Sequence, residues 1–397
     1  MSALTTFLVI YGVIAITHIL IQMYLGHLEH RKQNHKYYNH YHKDHDMDVS
    51  VVVPVYNESP EVLELVLSAL EAQVIAPKSL YEIIVVDDGS TNIKAVEKVY
   101  KKHEGKLIHV ERLKKNVGKR HAQKYAFDRA KGEIIVTIDS DTILRSKNAI
   151  ETILKRMKDP EVGAVTGDVR VENKKTNFLT QLINYRYWTA FHQERAAQSY
   201  FDVMMCCSGP FSAYRKSVID EVKEDYVAQR FLGKPCTFGD DRHLTNHVLV
   251  AGHNAVFDQK AVAYTHVPET IGGYVNQQIR WNKSFYREMI WTLKSVKSHH
   301  WYLIYDLIAQ LILPFMLIVA LVATAAQAVA NQDISYVWKY FLILFGIALL
   351  RAAYGIYRTK DFGFLRFLAY GLMHVFILIP TRMYALVTIG RVKWGTR

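Results

Sequence analysis

Apolar residues crowd the two ends of this chain, and a polar, mixed-charge block lies between them. Residues 4–25 form an apolar run long enough to span a bilayer, with no lysine or arginine before Arg31. A cleavable signal peptide would carry a basic start and a shorter apolar core, so the run reads as a signal-anchor. Arg31, Lys32 and Lys36 follow, and the positive-inside rule places the N-terminus outside and the middle block in the cytosol. That block opens with three short apolar runs, 49–55, 83–86 and 134–138. They are closed by Asn57-Glu58 (with Pro54 inside the first run), Asp87-Asp88-Gly89 and Asp139-Ser140-Asp141. Helical patterns such as 61–72 fall between them. Strands alternating with helices predict an α/β domain with a Rossmann-like, mostly parallel sheet and ligands at the strands' carboxyl ends.

Two amphipathic stretches follow, 178–200 and 274–296, which mix aromatics with Arg, Gln and Glu. They read either as ordinary domain helices or as helices lying in the membrane interface. No Lys or Arg occurs from Ser298 to Trp338. A span at 303–328, a short outer loop at 331–333 and a returning span at 337–357 account for this, with Arg351, Arg358, Lys360 and Arg366 marking the return. The last apolar segment, 362–389, is interrupted by Arg366, Pro380 and Arg382, and a crossing would strand Arg391, Lys393 and Arg397 outside. It reads as interfacial or re-entrant, with a cytosolic C-terminus. The predicted organisation is therefore a span (1–27), a juxtamembrane linker (28–48), the α/β domain (49–270), an interfacial helix (271–298), two spans (299–358) and the re-entrant segment (359–397).

Composition narrows the partners. The 397 residues carry a formal net charge of +12, which suits nucleic acid, anionic lipid or an acidic small molecule. No nucleic-acid motif is present, so phosphate-bearing substrates and membrane lipid headgroups are preferred to nucleic acid. Cys206, Cys207 and Cys236 have no metal-ligand spacing, and so few cysteines suit a reducing compartment. His27, His30, His35, His40, His42 and His45 converge on no ligand set and read as a solvated linker. The sequence predicts no particular oligomer.

Chemistry concentrates in the acidic strand ends. Carboxylates closing buried strands are costly unless they bind cations, donors or each other. Asp139 and Asp141, one residue apart, present oxygen ligands to a hard divalent cation, Mg²⁺ or Mn²⁺, able to hold a diphosphate; a solvated turn would read the same. Lys119 and Arg120 after Gly118 suit a phosphate or a sugar carboxylate, or else make a basic surface turn. Asp240 and Asp241 form a second pair that can divide roles, one poised as general base and one held ionised. Gln277, Arg280 and Trp281 put an amide, a guanidinium and an indole on neighbouring helical positions: a sugar platform and phosphate partner, or an amphipathic helix on the membrane.

In order along the chain, Pro54-Val55-Tyr56-Asn57-Glu58, Asp87-Asp88-Gly89-Ser90, Asp139-Ser140-Asp141, Gly239-Asp240-Asp241 and Gln277-x-x-Arg280-Trp281 resemble the motif set of the processive, inverting family 2 glycosyltransferases of the GT-A fold. The resemblance runs from residue 49 to the C-terminus. It implies a cytosolic GT-A domain joined to an α-helical transmembrane region with interfacial helices. It implies nucleotide binding by Pro54, Tyr56, Glu58, Asp87, Asp88, Lys119, Asp139, Arg280 and Trp394, and metal binding by Asp139 and Asp141. Asp241, beside Asp240, would be the general base, with Trp281, Gln277, Cys206 and Gly209 at the acceptor; Cys206 and Cys207 are equally readable as small buried fillers.

Within that family, Gly118-Lys119-Arg120-His121-Ala122-Gln123, Cys207-Ser208-Gly209-Pro210, Arg280-Trp281-Asn282-Lys283-Ser284-Phe285 and Trp394-Gly395-Thr396-Arg397 are similar to hyaluronan synthases. This implies UDP-GlcNAc and UDP-glucuronate as donors, a growing polysaccharide as acceptor, and a multi-pass protein of the cell membrane. Lys119 and Arg120 are the expected contacts of the glucuronate carboxylate. The rhizobial chitin-oligosaccharide synthases, which use UDP-GlcNAc only, share the Gly-Lys-Arg stretch and Glu194-Arg195-Ala196-Ala197-Gln198. A membrane receptor or transporter with a nucleotide-binding module is the non-enzyme alternative.

Overall fold

A computed structural model describes residues 3–34, 46–295, 297 and 299–391. The strands are β1 (Val49–Val55), β2 (Tyr81–Asp87), β3 (Ile108–Arg112), β4 (Ile134–Ile138), β5 (Thr142–Ile143), β6 (Val162–Val171), β7 (Phe211–Arg215), β8 (Arg230–Phe231), β9 (Lys234–Pro235) and β10 (Asn254–Thr265). Eight of them form one sheet in the order β3-β2-β1-β4-β7-β6-β10-β5, and β8 pairs with β9 in a separate hairpin. The four strands β3, β2, β1 and β4 are mutually parallel, β7 runs against both β4 and β6, and β10 runs parallel to β6. The three predicted apolar runs are thus the adjacent strands β2, β1 and β4, and their polar closing residues share one edge of the sheet.

Helices cover both faces, as continuous apolar strands require. On one face Val51 and Val53 of β1 pack with Leu63, Val66, Leu67 and Leu70 of the helix Pro60–Glu71. That helix starts where the sequence says it should: Pro60 occupies the first turn and the Ser59 hydroxyl accepts from the Val62 amide. On the other face Val52 packs with Ala122, Ala126 and Phe127 of the helix Lys119–Phe127 and with Leu244 and Val248 of the helix Asp240–Val250.

The N-terminal helix runs from Ala3 to Asn34, well past the apolar run. The linker expected at 28–48 therefore begins as helix, because its first residues find buried partners on the α/β domain. Glu29 is fully buried and meets Arg156 at 2.9 Å and the Ser199 hydroxyl at 3.0 Å. The Gln33 amide donates to the Phe257 carbonyl at 2.7 Å, and His30, far from being solvated, stacks on His192 with ring centroids 5.1 Å apart. His35, His40, His42 and His45 lie outside the described residues.

Among the described residues, four helical segments are long and apolar enough to cross a membrane: Thr6–Asn34, Tyr302–Ala330, Ser335–Thr359 and Phe362–Val387. The last is broken into a 3₁₀ turn (Phe362–Arg366), a helix (Phe367–Met373), a π turn (His374–Leu378) and a final helix (Ile379–Val387). Just before it, Asp361 accepts from the Tyr185 hydroxyl at 3.3 Å; just after it, the Arg391 carbonyl accepts from Lys283 at 3.4 Å. Tyr185 and Lys283 belong to the two amphipathic stretches, now the helices Phe178–Thr189 and Ile271–Ser295.

Breaking the buried Glu29–Arg156 pair strands a carboxylate in the interior. R156M is expected to lose about 3–5 kcal/mol of stability, read as a lowered unfolding midpoint in detergent, with E29M/R156M recovering most of it. An R156M protein as stable as the parent would contradict this account of how the N-terminal helix is held.

Candidate active site

The carboxyl ends of β2, β1 and β4 open into a cavity of about 1450 Å³. Pro54, Tyr56 and Glu58 line it from β1, Asp88 from the turn after β2, and Asp139 and Asp141 from the turn after β4. Adjacent residues on an extended chain point opposite ways, and the Asp87-Asp88 pair divides accordingly. Asp88 faces the cavity and accepts the Val117 and Gly118 amides at 2.7 and 2.9 Å. Asp87 does not line the cavity; fully buried, it accepts from the Ser90 amide and the Tyr100 hydroxyl, both at 2.7 Å. Glu58 accepts from the Ser140 hydroxyl at 2.7 Å, which ties the end of β1 to the Asp-Ser-Asp turn.

Lys119 is the centre of the charge arrangement. Its ammonium lies 2.7 Å from Asp139 and 2.9 Å from Asp240, so it joins the turn after β4 to the start of the helix Asp240–Val250. A Cβ at Gly209 would approach the Asp139 carboxylate to 3.1 Å and the Lys119 ammonium to 3.2 Å, which is why a residue without a side chain stands there. Arg120, expected beside Lys119 at a sugar carboxylate, is instead buried: it donates to Gln229 at 2.6 Å and to the Phe238 carbonyl at 3.2 Å. One step along a helix turns a side chain by about 100°, so only the lysine reaches the cavity.

Asp240 and Asp241 open their helix after Gly239, whose φ of +81° suits glycine. Burial works against the Asp240 carboxylate, but Lys119 outweighs it and holds that carboxyl low. Burial and the neighbouring Asp240 charge together push Asp241 up. The Cys206 thiol lies 3.5 Å from Asp241. One carboxylate pinned ionised beside another raised towards proton exchange is the division of labour that acid–base chemistry needs.

Gln277, Arg280 and Trp281 line the cavity from one face of the helix Ile271–Ser295. The Gln277 side-chain oxygen is buried with no hydrogen-bond partner, and Trp281 is about half exposed with its ring 6.3 Å from that of Tyr187. Thus Lys119, Cys206, Gly209, Asp240 and Asp241 also belong to the same cavity, while Trp394 lies outside the described residues.

Sequence reasoning missed the far end of this space, where Arg186, Glu194, Gln310, His374 and Arg382 line it beside the apolar helices. Arg186 grips Glu194 through both nitrogens, at 2.8 and 2.9 Å, and Arg351 approaches it at 3.5 Å. Burial alone would raise Glu194, but Arg186 and Arg351 hold its carboxyl at about 2. The available signal was the presence of an arginine and a glutamate eight residues apart in an amphipathic stretch. Their pairing depends on the π turn Ala190–Arg195, which a regular helical period does not predict.

Residues 50–223 match the model of "Glycosyl transferase family 2". The chain is 38% identical to a hyaluronan synthase of Streptococcus pyogenes, over 98% of this chain and 90% of that one. It is 37% identical to an N-acetylglucosaminyltransferase of Mesorhizobium japonicum, over 88% of this chain and 81% of the other. The chain belongs to the family 2 glycosyltransferases. Its fold is also that of a solved mannosyltransferase from Pyrobaculum calidifontis, described in complex with GDP-Man and Mn²⁺, with a TM-score of 0.57 at 22% identity over 92% of this chain and 99% of that one. The glycosyltransferase thus has a GT-A domain carrying apolar helices, which fits a membrane protein.

The glycosyltransferase's two acidic residues make a signed prediction. Turnover that needs ionised Asp241 is lost as pH falls through its raised pKa, and the Asp240 charge is one cause of the raising. In D240N the acid limb of the residual kcat/KM profile should therefore move to lower pH; an unmoved or upward-shifted limb would contradict the coupling.

Proposed function

We propose that this enzyme polymerises hyaluronan from UDP-GlcNAc and UDP-glucuronate by processive, inverting transfer, and passes the chain into the membrane. The observation that carries this reading is the continuity of the cavity, from Tyr56 and Asp88 at the nucleotide end, past Asp241 and Trp281, to Gln310, His374 and Arg382 among the apolar helices. A donor site opening only to water would serve a single transfer; one opening into the membrane portion serves a growing chain. Similarity to the hyaluronan synthase over nearly the whole chain, membrane portion included, supports this choice of product.

Asp139 and Asp141 would hold Mg²⁺ or Mn²⁺. The residues fit such an ion: Asp139 already attracts one cation, the Lys119 ammonium, and two carboxylates with room beside them leave coordination places for diphosphate oxygens and water. When bound, the ion would supply charge neutralisation for the departing diphosphate. Lys119 and Arg280 add positive charge along the same path, and Asp88 with Tyr56 and Glu58 frames the nucleotide. Asp241 takes the proton from the acceptor hydroxyl as its oxygen attacks the anomeric carbon opposite the leaving UDP, forming one glycosidic bond as the sugar–phosphate bond breaks. Trp281 offers its face to the acceptor ring, with Gln277, Cys206 and Gly209 around it.

The N-terminus lies outside and the catalytic domain in the cytosol. A re-entrant path for the segment Phe362–Val387, with a cytosolic C-terminus, is supported by contacts at both its ends with the helices Phe178–Thr189 and Ile271–Ser295. A chitin-type synthase is the second reading, favoured by the N-acetylglucosaminyltransferase relative.

In membranes supplied with Mg²⁺ or Mn²⁺, polymer should form only when both UDP-sugars are present and should be degraded by hyaluronidase; polymer from UDP-GlcNAc alone would give the second reading. D241N should lower polymer synthesis by about 10²–10⁴-fold with folding intact, and a variant near parental activity would remove Asp241 from the role of base.

A further inference from the structure

Behind the cavity wall, and outside it, a buried carboxylate joins three of the motif-bearing elements. Glu288 lies on the helix Ile271–Ser295, on the same stripe as Gln277, Trp281 and Ser284, and is 1% exposed. Its carboxylate meets His243 Nδ1 at 2.9 Å and accepts from the Asn246 side-chain amide at 3.2 Å, both on the helix that Asp240 and Asp241 open. Its other oxygen accepts from the Gln229 amide, and Gln229 in turn accepts from Arg120, the neighbour of Lys119. His243 also meets His247, nitrogen to nitrogen at 3.1 Å, and Thr292 donates to Asn246 at 3.0 Å, so the contact continues for another turn.

A second observation bears on the same junction. The Phe238 carbonyl, at the entry to Gly239-Asp240-Asp241, accepts from Arg120 at 3.2 Å and from Arg287 at 3.1 Å. A Cβ on Gly239 would collide with the Ser284 hydroxyl, so the turn that carries the acidic pair lies flush on the helix that carries Trp281. Burial by itself would raise the Glu288 carboxyl, but its donors bring it below the ordinary value, and burial lowers His243. The Glu288 carboxylate is thus a buried acceptor held by side chains of two other segments.

We infer that Glu288 is a positioning residue for glycosyl transfer: it sets the distance between Asp241 on one helix and the Trp281 platform on the other. This rests on the proposed polymerase reading. It touches neither donor nor acceptor; its effect is to keep the acceptor hydroxyl, rather than water, next to the base. Loosening the junction displaces the acceptor by a fraction of a bond length while leaving the nucleotide end, built on β1, β2 and β4, unchanged.

The test uses the full chain in membranes and follows UDP release, sugar built into polymer, free sugar from donor hydrolysis, and product length, for E288Q and E288D. E288Q should keep the KM for each UDP-sugar within about twofold, lower polymer synthesis roughly 10- to 100-fold, raise the hydrolysed fraction of donor and shorten the chains. E288D, which keeps the charge but shortens the reach, should fall between E288Q and the parent in the same ratio. If E288Q does not fold, E288D alone decides. A ratio of polymer to hydrolysis equal to the parent's in every folded variant, whatever the total activity, would reduce Glu288 to a structural residue and overturn the inference. A parent enzyme that makes no polymer from UDP-sugars would instead overturn the polymerase reading itself, and this inference with it.

Discussion

The Lys119 ammonium holds this site together. It bridges Asp139, delivered by the sheet, and Asp240, delivered by a helix more than a hundred residues later, and its own position follows from Asp88 gripping the amides just before it. Bringing Asp139, Asp141, Asp240 and Asp241 into one cavity concentrates negative charge that the interior would otherwise reject. A lysine between two of them relieves the repulsion, and both carboxylates in turn hold its pKa well above normal against the pull of burial. Within the Asp240–Asp241 pair the ammonium contacts Asp240, so the two neighbouring carboxyls are shifted in opposite directions by where one side chain points.

Much of this was legible in the sequence because short apolar runs closed by acidic residues have few readings. β1 and β4 occupy the predicted residues, and β2 differs by two residues at its start and one at its end. The candidate residues at those strand ends meet in one cavity, with Asp87 excluded because alternation on an extended strand sends one of two adjacent carboxylates inward. What was not legible has the same character throughout: it depends on direction, not on identity. Arg120 and Lys119 look interchangeable in a string of letters, yet a helical step separates them into interior and cavity. Glu194 finds Arg186 only through a π turn. Leu28 to Asn34 read as part of a linker because the sequence shows no partner but water for the polar residues there, whereas Arg156, Ser199 and Phe257 stand far along the chain.

Those same contacts explain how the catalytic domain is held against the apolar helices. A single apolar helix fixes depth but leaves a tethered domain free to swivel. Here the C-terminal end of that helix carries Glu29 and Gln33 into the domain, while nearer the middle Gln22 donates to Asp306 of the helix Tyr302–Ala330, and Asp306 also accepts from Gln198 at 2.6 Å. Buried polar groups of this kind add little net stability when fully paired, and their loss costs much more. Their consequence is orientation: they fix how the α/β domain sits against the apolar helices.

The last apolar segment, Phe362–Val387, completes that arrangement through one backbone defect in its neighbour. Pro314 lies inside the helix Tyr302–Ala330 and has no N–H, so the carbonyl four residues earlier, that of Gln310, loses its helical donor. In a hydrocarbon environment an unpaired carbonyl costs several kcal/mol, roughly, and must be met from elsewhere. Arg382 meets it: its guanidinium donates to the Gln310 carbonyl at 2.7 Å and to the Tyr286 hydroxyl at 3.1 Å. An arginine that interrupts an apolar run, and a proline that interrupts a helix, each read as faults when taken alone. Together they join the apolar helix, the returning segment and the helix bearing Trp281 at one point on the cavity wall, where both Gln310 and Arg382 line the space beyond Trp281. Gln310 and Arg382 thus satisfy the fold's own hydrogen bonding and line the cavity at the same time.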